Sequence, residues 1–375
     1  MDDYDKKAWD ALERERQRQL SRSPRRLVPG PVRERAGKLG RSAHDGASSV
    51  PGFDQAEDLV QEVLKAAGEV GARLAANSLW QKRIISAYSD DGHRVALITD
   101  IQQLALRDID KAKPSIGIGY MAAGAATGAA AGVAVTSGEI AALVGGTAGG
   151  AAGGAGGGGI GAAPGAGAGA APGAAVVVGA IAADTAAVLF GSAREVFHIA
   201  AYYGYDVNRP EERLRALGVL NYATASTQAA KNRAYNELQK LAGLIVRNAV
   251  WKQLDHSVIT KIVRRVFELL GQRLTKRALG MALPFIGIAI GATLNAWTLS
   301  RTADGADLLY RQQFLCDKYE LPFPDGVSAT TAAEPEHDED IPLTDIIEEE
   351  IEEQARADEP PDDEDGTEDP PAASI

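Results

Sequence analysis

The sequence lacks the features that mark several large protein classes. It has one cysteine, Cys316, so it cannot form an internal disulfide or a cysteine zinc site. The N-terminal segment is charged throughout and has no apolar stretch typical of a signal peptide, so we expect a cytoplasmic location. A Gly-x-Ser-x-Gly elbow, a Walker A sequence and a His-Glu-x-x-His motif are also missing. The sequence therefore indicates no particular reaction.

Charge is present in quantity but is unevenly distributed. The net charge is -12, yet residues 334–375 contain 19 acidic residues and one arginine, Arg356, and the rest of the chain is mildly basic. Such an acidic, proline-rich segment buries too little apolar surface to fold alone, so we expect residues 323–375 to form a disordered, solvating tail. Thr344 to Ile351 stands out as a potential short helix, with Asp345 and Glu348 spaced as a capping box.

The N-terminal segment has the opposite charge. Residues 11–41 contain ten Lys and Arg and three Glu among Ser, Pro and Gly. This composition predicts a disordered basic arm over residues 1–52. No aromatic residues are interleaved for base stacking, so we expect no nucleic-acid partner.

The body of the chain, residues 53–322, has helical periodicity. Apolar residues recur at helical spacing from Ala56 to Leu74, and a second helix is predicted from Val95 to about Lys111, ending before Pro114. No segment alternates with a strand period. We therefore predict an all-α fold, a bundle of amphipathic and small-residue-rich helical hairpins with disordered termini.

The glycines of the central part of the chain form two groups. Gly124, Gly128 and Gly132 are four residues apart, which places them on one helix face and favours close helix contacts. Residues 145–173 contain 15 Gly and 10 Ala, which predicts a flexible insert.

Residues 278–300 form a 23-residue run without charge, which Pro284 and Asn295 interrupt. A buried helix, a re-entrant hairpin and a membrane span are all compatible with it, and the mean hydropathy of -0.14 favours a buried or interfacial segment. We predict helix contacts at Gly287, Gly291 and Asn295.

Residues 231–277 form a basic stretch with eleven Lys and Arg and three acidic residues. Apolar residues from Val258 to Leu270 keep helical spacing, so the basic side chains, Arg273 included, are expected around the remaining helix surface. Such a helix is typical of proteins that bind an anionic membrane surface. The alternative is a solvated face covered by the chain's own acidic tail. The candidate lipid contacts are Lys261, Arg264, Arg265, Lys276 and Arg277.

A series of motifs resembles the EcsC family. In order, these are residues 124–128 (GAATG), the run around Asp184, residues 200–206 (AAYYGYD), 210–220 (PEERLRALGVL) and 284–296 (PFIGIAIGATLNA). The resemblance covers roughly residues 55–320, although Asp184-Thr-Ala replaces the usual Asp-Ile-Pro. It implies a bacterial helical protein associated with a membrane or an ABC transporter, without an established reaction.

Polar residues in apolar surroundings are the candidates for catalysis. Glu195 and His198 have the Glu-x-x-His spacing of half a di-iron site. The same spacing recurs only at Glu334 and His337, in the proline-rich acidic segment, and we expect no metal and no cofactor. The other candidates are Asp184, Tyr202, Tyr203, Asp206, Asn295, Arg301 and Asp304.

We therefore predict a non-catalytic, peripheral protein at the inner face of the cell membrane, serving a transporter or secretion process. One alternative is a helical hydrolase acting on a lipid-like substrate, with Asp184, His198 and Asp206 around one cavity. The other is a scaffold whose acidic tail recruits a partner.

Overall fold

The computed structural model describes residues 1–21, 78–113, 172–225, 227–247, 256–281, 288–326 and 341–357, except the side chains of 78–80, 172–184, 246–247, 256, 275–281, 288–294 and 357. These ranges contain nine α-helices, one 3-10 helix and no strand, so the all-α prediction is confirmed. The α-helices are α1 Asp3–Ser21, α2 Ser78–Asp90, α3 Leu106–Ala112, α4 Pro172–Tyr202, α5 Pro210–Thr224, α6 Gln228–Arg247, α7 His256–Met281, α8 Ile288–Tyr319 and α9 Leu343–Ala357. The 3-10 helix, Ile98–Gln103, lies between α2 and α3.

Helix α5 is the centre of the bundle. It begins at Pro210, whose missing N–H costs nothing in a first turn, and nearly all of its residues from Arg213 onward are buried. A helix that is buried on nearly all sides must be surrounded by other elements, and α4, α6, α7 and α8 pack around α5.

Glycines allow close helix approaches at three described positions, Gly191, Gly218 and Gly305. A Cβ added to Gly191 of α4 would lie 3.2 Å from Leu299 of α8, and one added to Gly305 of α8 would lie 3.2 Å from Ala223 of α5. The predicted contacts at Gly124, Gly128, Gly132 and Gly287 lie outside the described residues. Gly291 lies in α8, but its contacts are also outside the description.

The end of α4 follows the sequence pattern closely. Gly204 has a φ of 86°, and Tyr205 N–H donates to Ala200 O at 3.0 Å, as in a helix that ends on a left-handed glycine. A Cβ on Gly204 would lie 2.9 Å from the backbone nitrogen of Gln102. Asp206 then forms the turn toward Pro210 by accepting a hydrogen bond from Asn208 N–H at 3.1 Å.

The helix predicted from Val95 to Lys111 differs in the structure. The Asp100 carboxylate accepts hydrogen bonds from the N–H groups of Ala96 and Leu97 at 2.9 and 2.8 Å, so the backbone there is extended and a 3-10 helix begins at Ile98. Leu104 and Ala105 are extended, and α3 follows. The predicted helix from Ala56 to Leu74 lies outside the described residues.

The predicted disordered arm of residues 1–52 is wrong over Asp3–Ser21. These residues form α1, which packs on α3, α6 and α8 and buries Ala8, Leu12 and Leu20. The spacing of these residues is helical, and the fold supplies a surface for the stripe that composition alone did not reveal. Residues 22–52 lie outside the description.

The predicted disordered tail of residues 323–375 is wrong over Leu343–Ala357, which form α9. The predicted potential short helix is therefore present and longer than expected, and it packs on α6 and α7.

The apolar segment 278–300 is divided: α7 ends at Met281, and α8 begins at Ile288. Among the described residues, no helix is long and apolar enough to cross a membrane.

Candidate functional site

Helix α7 presents one line of exposed residues on an otherwise buried helix. Ser257, Lys261 and Arg265 are four residues apart and exposed, whereas Ile262 and Val266 beside them are fully buried. The side chains of Lys261 and Arg265 remain 51% and 45% exposed. The apolar face of α7 therefore packs in the core, and the charged side chains that are exposed among its described residues are Lys261 and Arg265.

Acidic side chains of α9 lie directly over this line. Arg265 Nη1 donates to Glu349 Oε2 at 2.8 Å, and Lys261 Nζ lies 3.8 Å from Glu350 Oε2 and 3.6 Å from Glu353 Oε1. The chain's own acidic segment thus contacts two of the predicted lipid contacts, as the alternative of a covered basic face anticipated. Pairs this exposed contribute at most about 1 kcal/mol each.

Helix α9 also has an apolar face turned to the body. Leu343, Ile346 and Ile347 are buried at helical spacing, and Ile351 is partly buried against the same core. Leu343 reaches the surface between α5 and α6, where a Cβ on Gly218 would lie 2.6 Å from Leu238 and 3.4 Å from Leu343. Apolar burial therefore contributes most of the docking free energy.

The first turn of α9 is tied to the body by hydrogen bonds. Thr344 N–H donates to Glu237 Oε2 of α6 at 3.1 Å, and the Thr344 hydroxyl donates to the same oxygen. A carboxylate at a helix N-terminus is favourable because it satisfies free N–H groups. Glu237 of α6, rather than the predicted Asp345, supplies this cap. Burial raises the pKa of Glu237, but hydrogen bonds from Lys240 and Thr344 outweigh it and lower the pKa overall.

One residue of the buried face of α9 does not fit an apolar interface. Glu350 lies one turn after Ile346 and Ile347 and is buried, and its Oε2 accepts no hydrogen bond. Its 3.8 Å separation from Lys261 Nζ is too long for a hydrogen bond. Burying a carboxylate oxygen without a donor is unfavourable, so Glu350 weakens the docking that its apolar neighbours provide.

The other basic candidates of α7 are placed differently. Arg264 is half-buried, and the side chains of Lys276 and Arg277 are outside the description. Arg273, which we expected on the surface, is buried instead. Its Nη2 donates to Asn221 Oδ1 at 2.8 Å and Thr224 Oγ1 at 3.0 Å, at the end of α5 where a cation is favourable.

A second group of charged residues lies inside the bundle, between α4, α6 and α8. Glu195 of α4 is fully buried, and both of its carboxylate oxygens are without a hydrogen bond. Lys231 of α6 is 2% exposed, and its Nζ donates to Gln19 of α1 at 3.3 Å and lies 4.6 Å from the ring centroid of Tyr222. Helix α1 therefore covers the buried amine.

These buried groups have shifted pKa values. Burial, and to a smaller extent Asp304, raises the pKa of Glu195 to about 9, so this carboxyl is neutral at pH 7. Burial, and then the Arg301 guanidinium, lowers the pKa of Lys231 to about 7. Perturbed groups of this kind occur both in active sites and in structural cores.

The residues proposed for a hydrolase have different partners. Asp206 accepts hydrogen bonds from Gln81 Nε2 and Asn208 Nδ2 at 3.1 and 2.8 Å, a turn-forming role. The His198 ring packs against Tyr202 with the ring centroids 5.3 Å apart, and burial lowers the pKa of His198 to about 4. Asp184 lies within α4, but its side chain is outside the description.

Among the described residues, no group of three or more His, Cys, Asp and Glu is arranged to hold a metal ion. Arg301 of α8 lies with its guanidinium 4.8 Å from the Trp297 ring centroid, and Asn295 is buried on the same helix. Whether Asn295 bonds to a neighbouring helix stays a prediction.

Comparison with known families agrees with four of the five motifs of the series, since residues 124–128 lie outside the matched range. Residues 159–315 match the model of the EcsC protein family. The chain carries an EcsC domain. This domain contains α4 to α7 and most of α8, and therefore the basic line on α7. Helices α1, α2, α3 and α9 lie outside the matched residues, so the EcsC domain supplies the basic surface and a flanking helix supplies its acidic cover. No curated protein and no solved structure matches the chain.

Sequence reasoning missed the partners of the EcsC domain rather than the domain itself. The burial of Arg273 had a signal, because it lies three residues after Leu270 on the apolar stripe of α7. The burial of Lys231 had none, since it depends on α1, more than two hundred positions away.

Proposed function

We propose that this protein is a non-catalytic, peripheral component of the inner face of the cell membrane, where it serves a transporter or secretion process. The observation that carries the proposal is the exposed cationic line of Lys261 and Arg265 on α7. The neighbouring apolar stripe is buried while α9 is docked, so the attraction of this state to the membrane is electrostatic.

The charge distribution supports this proposal. Residues 231–277 have an excess of eight positive charges, and the mild positive charge of residues 1–333 is hidden in the net charge by the acidic segment. Each Lys or Arg near an anionic leaflet contributes about 1 kcal/mol, and the effect falls off within a Debye length. Membrane association should therefore be reversible and sensitive to salt.

The described contacts give less support to the two alternative functions, a scaffold and a hydrolase. A scaffold that recruits a basic partner through its acidic segment would need Glu349 and Glu353, which already contact Arg265 and Lys261. The proposed hydrolase would need His198 and Asp206 at one cavity, and their described contacts are to other residues.

The test is flotation of the full chain with vesicles of equal parts phosphatidylglycerol and phosphatidylcholine at low ionic strength. Lys261→Gln/Arg265→Gln should reduce lipid partitioning roughly 30-fold, which corresponds to two basic residues at about 1 kcal/mol each. The matched control is Arg107→Gln/Lys111→Gln on α3, which removes the same charge from side chains 71% and 68% exposed.

The outcome separates a specific surface from total charge. The proposal expects the control to bind almost as well as the wild type. Equal losses in the two double variants, or no flotation of the wild type, would contradict it.

A further inference from the structure

We propose that α9 and the anionic membrane are alternative occupants of a single surface. This surface, called here the α9 groove, consists of the apolar groove on α5, α6 and α7 together with its cationic rim, Lys261 and Arg265. The inference rests on the proposed function and adds its regulation: the protein binds lipid through the α9 groove when α9 has left it.

The cationic rim attracts the glutamates of α9 and lipid phosphates alike. The three glutamates of α9 reach the same two side chains that are proposed to meet lipid phosphates, at 2.8 to 3.8 Å. Glutamates and lipid phosphates are both anionic, so a cation engaged by one is less available to the other. While α9 is docked, its acidic side chains also repel an anionic leaflet.

The floor of the α9 groove is apolar. Ile346 and Ile347 are almost completely buried against the body, so their departure uncovers an apolar patch beside Lys261 and Arg265. A cationic rim around an apolar patch suits a membrane interface, where apolar groups enter the acyl boundary and basic groups remain at the phosphates. Docked α9 leaves only the outer part of the rim accessible.

Helix α9 is held to the body only moderately. Its ion pairs are largely exposed, and its buried face includes Glu350 with an unbonded oxygen. Both features reduce the free energy of docking. A helix held by apolar contacts alone would be a permanent part of the core, whereas α9 combines those contacts with an unfavourable buried charge.

Two variants of the full chain shift the balance in opposite directions. Glu350→Leu replaces the unfavourable carboxylate with an apolar side chain and should hold α9 closed. Ile346→Ser/Ile347→Ser removes the apolar contacts without changing net charge and should release α9. Amide hydrogen exchange of α5 checks that the body stays folded in each variant.

The Glu350→Leu variant makes the test sharp because it raises the net charge by one. An account based on total charge predicts tighter binding to phosphatidylglycerol vesicles. The competition predicts binding several-fold weaker than the wild type, and binding about tenfold tighter for Ile346→Ser/Ile347→Ser. The tighter binding of Ile346→Ser/Ile347→Ser, the open variant, should disappear when Lys261→Gln/Arg265→Gln is added. It should also be absent on vesicles of phosphatidylcholine alone.

The failures are distinguishable. If the wild type floats through Lys261 and Arg265 but the α9 variants bind equally well, α9 does not compete and only this inference is overturned. If no variant floats, the proposed function fails as well. If the open variant sediments as a dimer and does not bind lipid, the α9 groove takes the α9 of a second copy, and the inference is overturned in favour of helix exchange.

Discussion

Helices α1 and α9 flank the same domain and are attached to it by different chemistry. In α1, Oδ2 of the buried Asp5 carboxylate accepts hydrogen bonds from Lys318 at 2.8 Å and Tyr319 at 2.6 Å, while its Oδ1 accepts none. Arg16 of the same helix donates to Tyr235 at 3.1 Å. In α9, the cations and most of the glutamates are exposed, and the buried Glu350 lacks a bonded partner for one oxygen.

This comparison teaches that the location of a charge, and not the number of ion pairs, decides how much the charged contacts of a terminal helix add to its apolar attachment. A carboxylate that stays buried after its partner is removed costs about 3–5 kcal/mol, because its charge is then uncompensated. An exposed pair exchanges its partner for water or for another anion with little change in free energy. Helix α1 therefore behaves as part of the body, and α9 as a removable cover.

The largest expected effect is on α1. Asp5→Ala should lower the free energy of unfolding by about 3 kcal/mol, because Lys318 and Tyr319 lose their shared acceptor. Urea unfolding measures the change. Asp10→Ala, on the exposed face of the same helix, should change it by less than about 0.5 kcal/mol. Equal effects of the two variants would show that Asp5 does not anchor α1.

The pH dependence of the contact between α1 and α6 gives the next effect. Folded Lys231 loses its proton near pH 7, whereas the unfolded residue does so near 10.5. Between these values the unfolded chain binds more protons, so the contribution of Lys231 to stability rises with pH and is least favourable below pH 7. The groups facing Lys231 are Glu15, Gln19, Tyr222, Arg301 and Asp304.

Lys231→Met should therefore stabilise the protein by roughly 2 kcal/mol at pH 6 and have a smaller effect at pH 10. The difference between wild type and variant isolates Lys231, because the raised pKa of Glu195 gives both proteins an opposite slope between pH 4.5 and 9. Urea unfolding across this range measures the difference. A constant difference would contradict the buried, easily deprotonated amine.

A smaller effect is expected at Glu350. Glu350→Leu should stabilise the docking of α9 by about 1 kcal/mol, seen as roughly fivefold slower amide exchange in α9, because an unbonded carboxylate oxygen is no longer buried. Glu352→Leu is the control, since Glu352 is exposed on the same helix. Faster exchange in the Glu350 variant would show that its contact with Lys261 is net stabilising.

The smallest effect is expected at the rim. Arg265→Gln should loosen α9 by less than about 1 kcal/mol at low salt, and by almost nothing at 1 M salt, where the Debye length is about 3 Å. Amide exchange of α9 again measures it. A loss that persists at high salt would mean that Arg265 packs rather than pairs.

The comparison also shows what sequence could predict. The helical class, the end of α4 at Gly204 and the apolar stripe of α7 follow from local patterns, and the structure contains all three. Helix α1 was predicted as disordered, and α9 as only a short helix within a disordered tail, because composition weighs the whole segment. Their apolar residues are few, and they gain stability only from a surface that other parts of the chain build.

The candidate site was predicted in part. Lys261 and Arg265 are exposed as the spacing indicated, and the possibility of an acidic cover was recognised from charge alone. Which glutamates reach them depends on how α9 crosses α7, a long-range geometry without a local signal. The same reason explains why Arg273 and Lys231 were expected at the surface or not distinguished at all.

Amide hydrogen exchange of the intact chain at low and high salt tests the central claim most directly, because it reports α1 and α9 in one experiment. The account predicts that α9 exchanges faster than α1, and that salt accelerates exchange in α9 while leaving α1 unchanged. Equal, salt-independent protection of the two helices would contradict the claim that α9 is a removable cover.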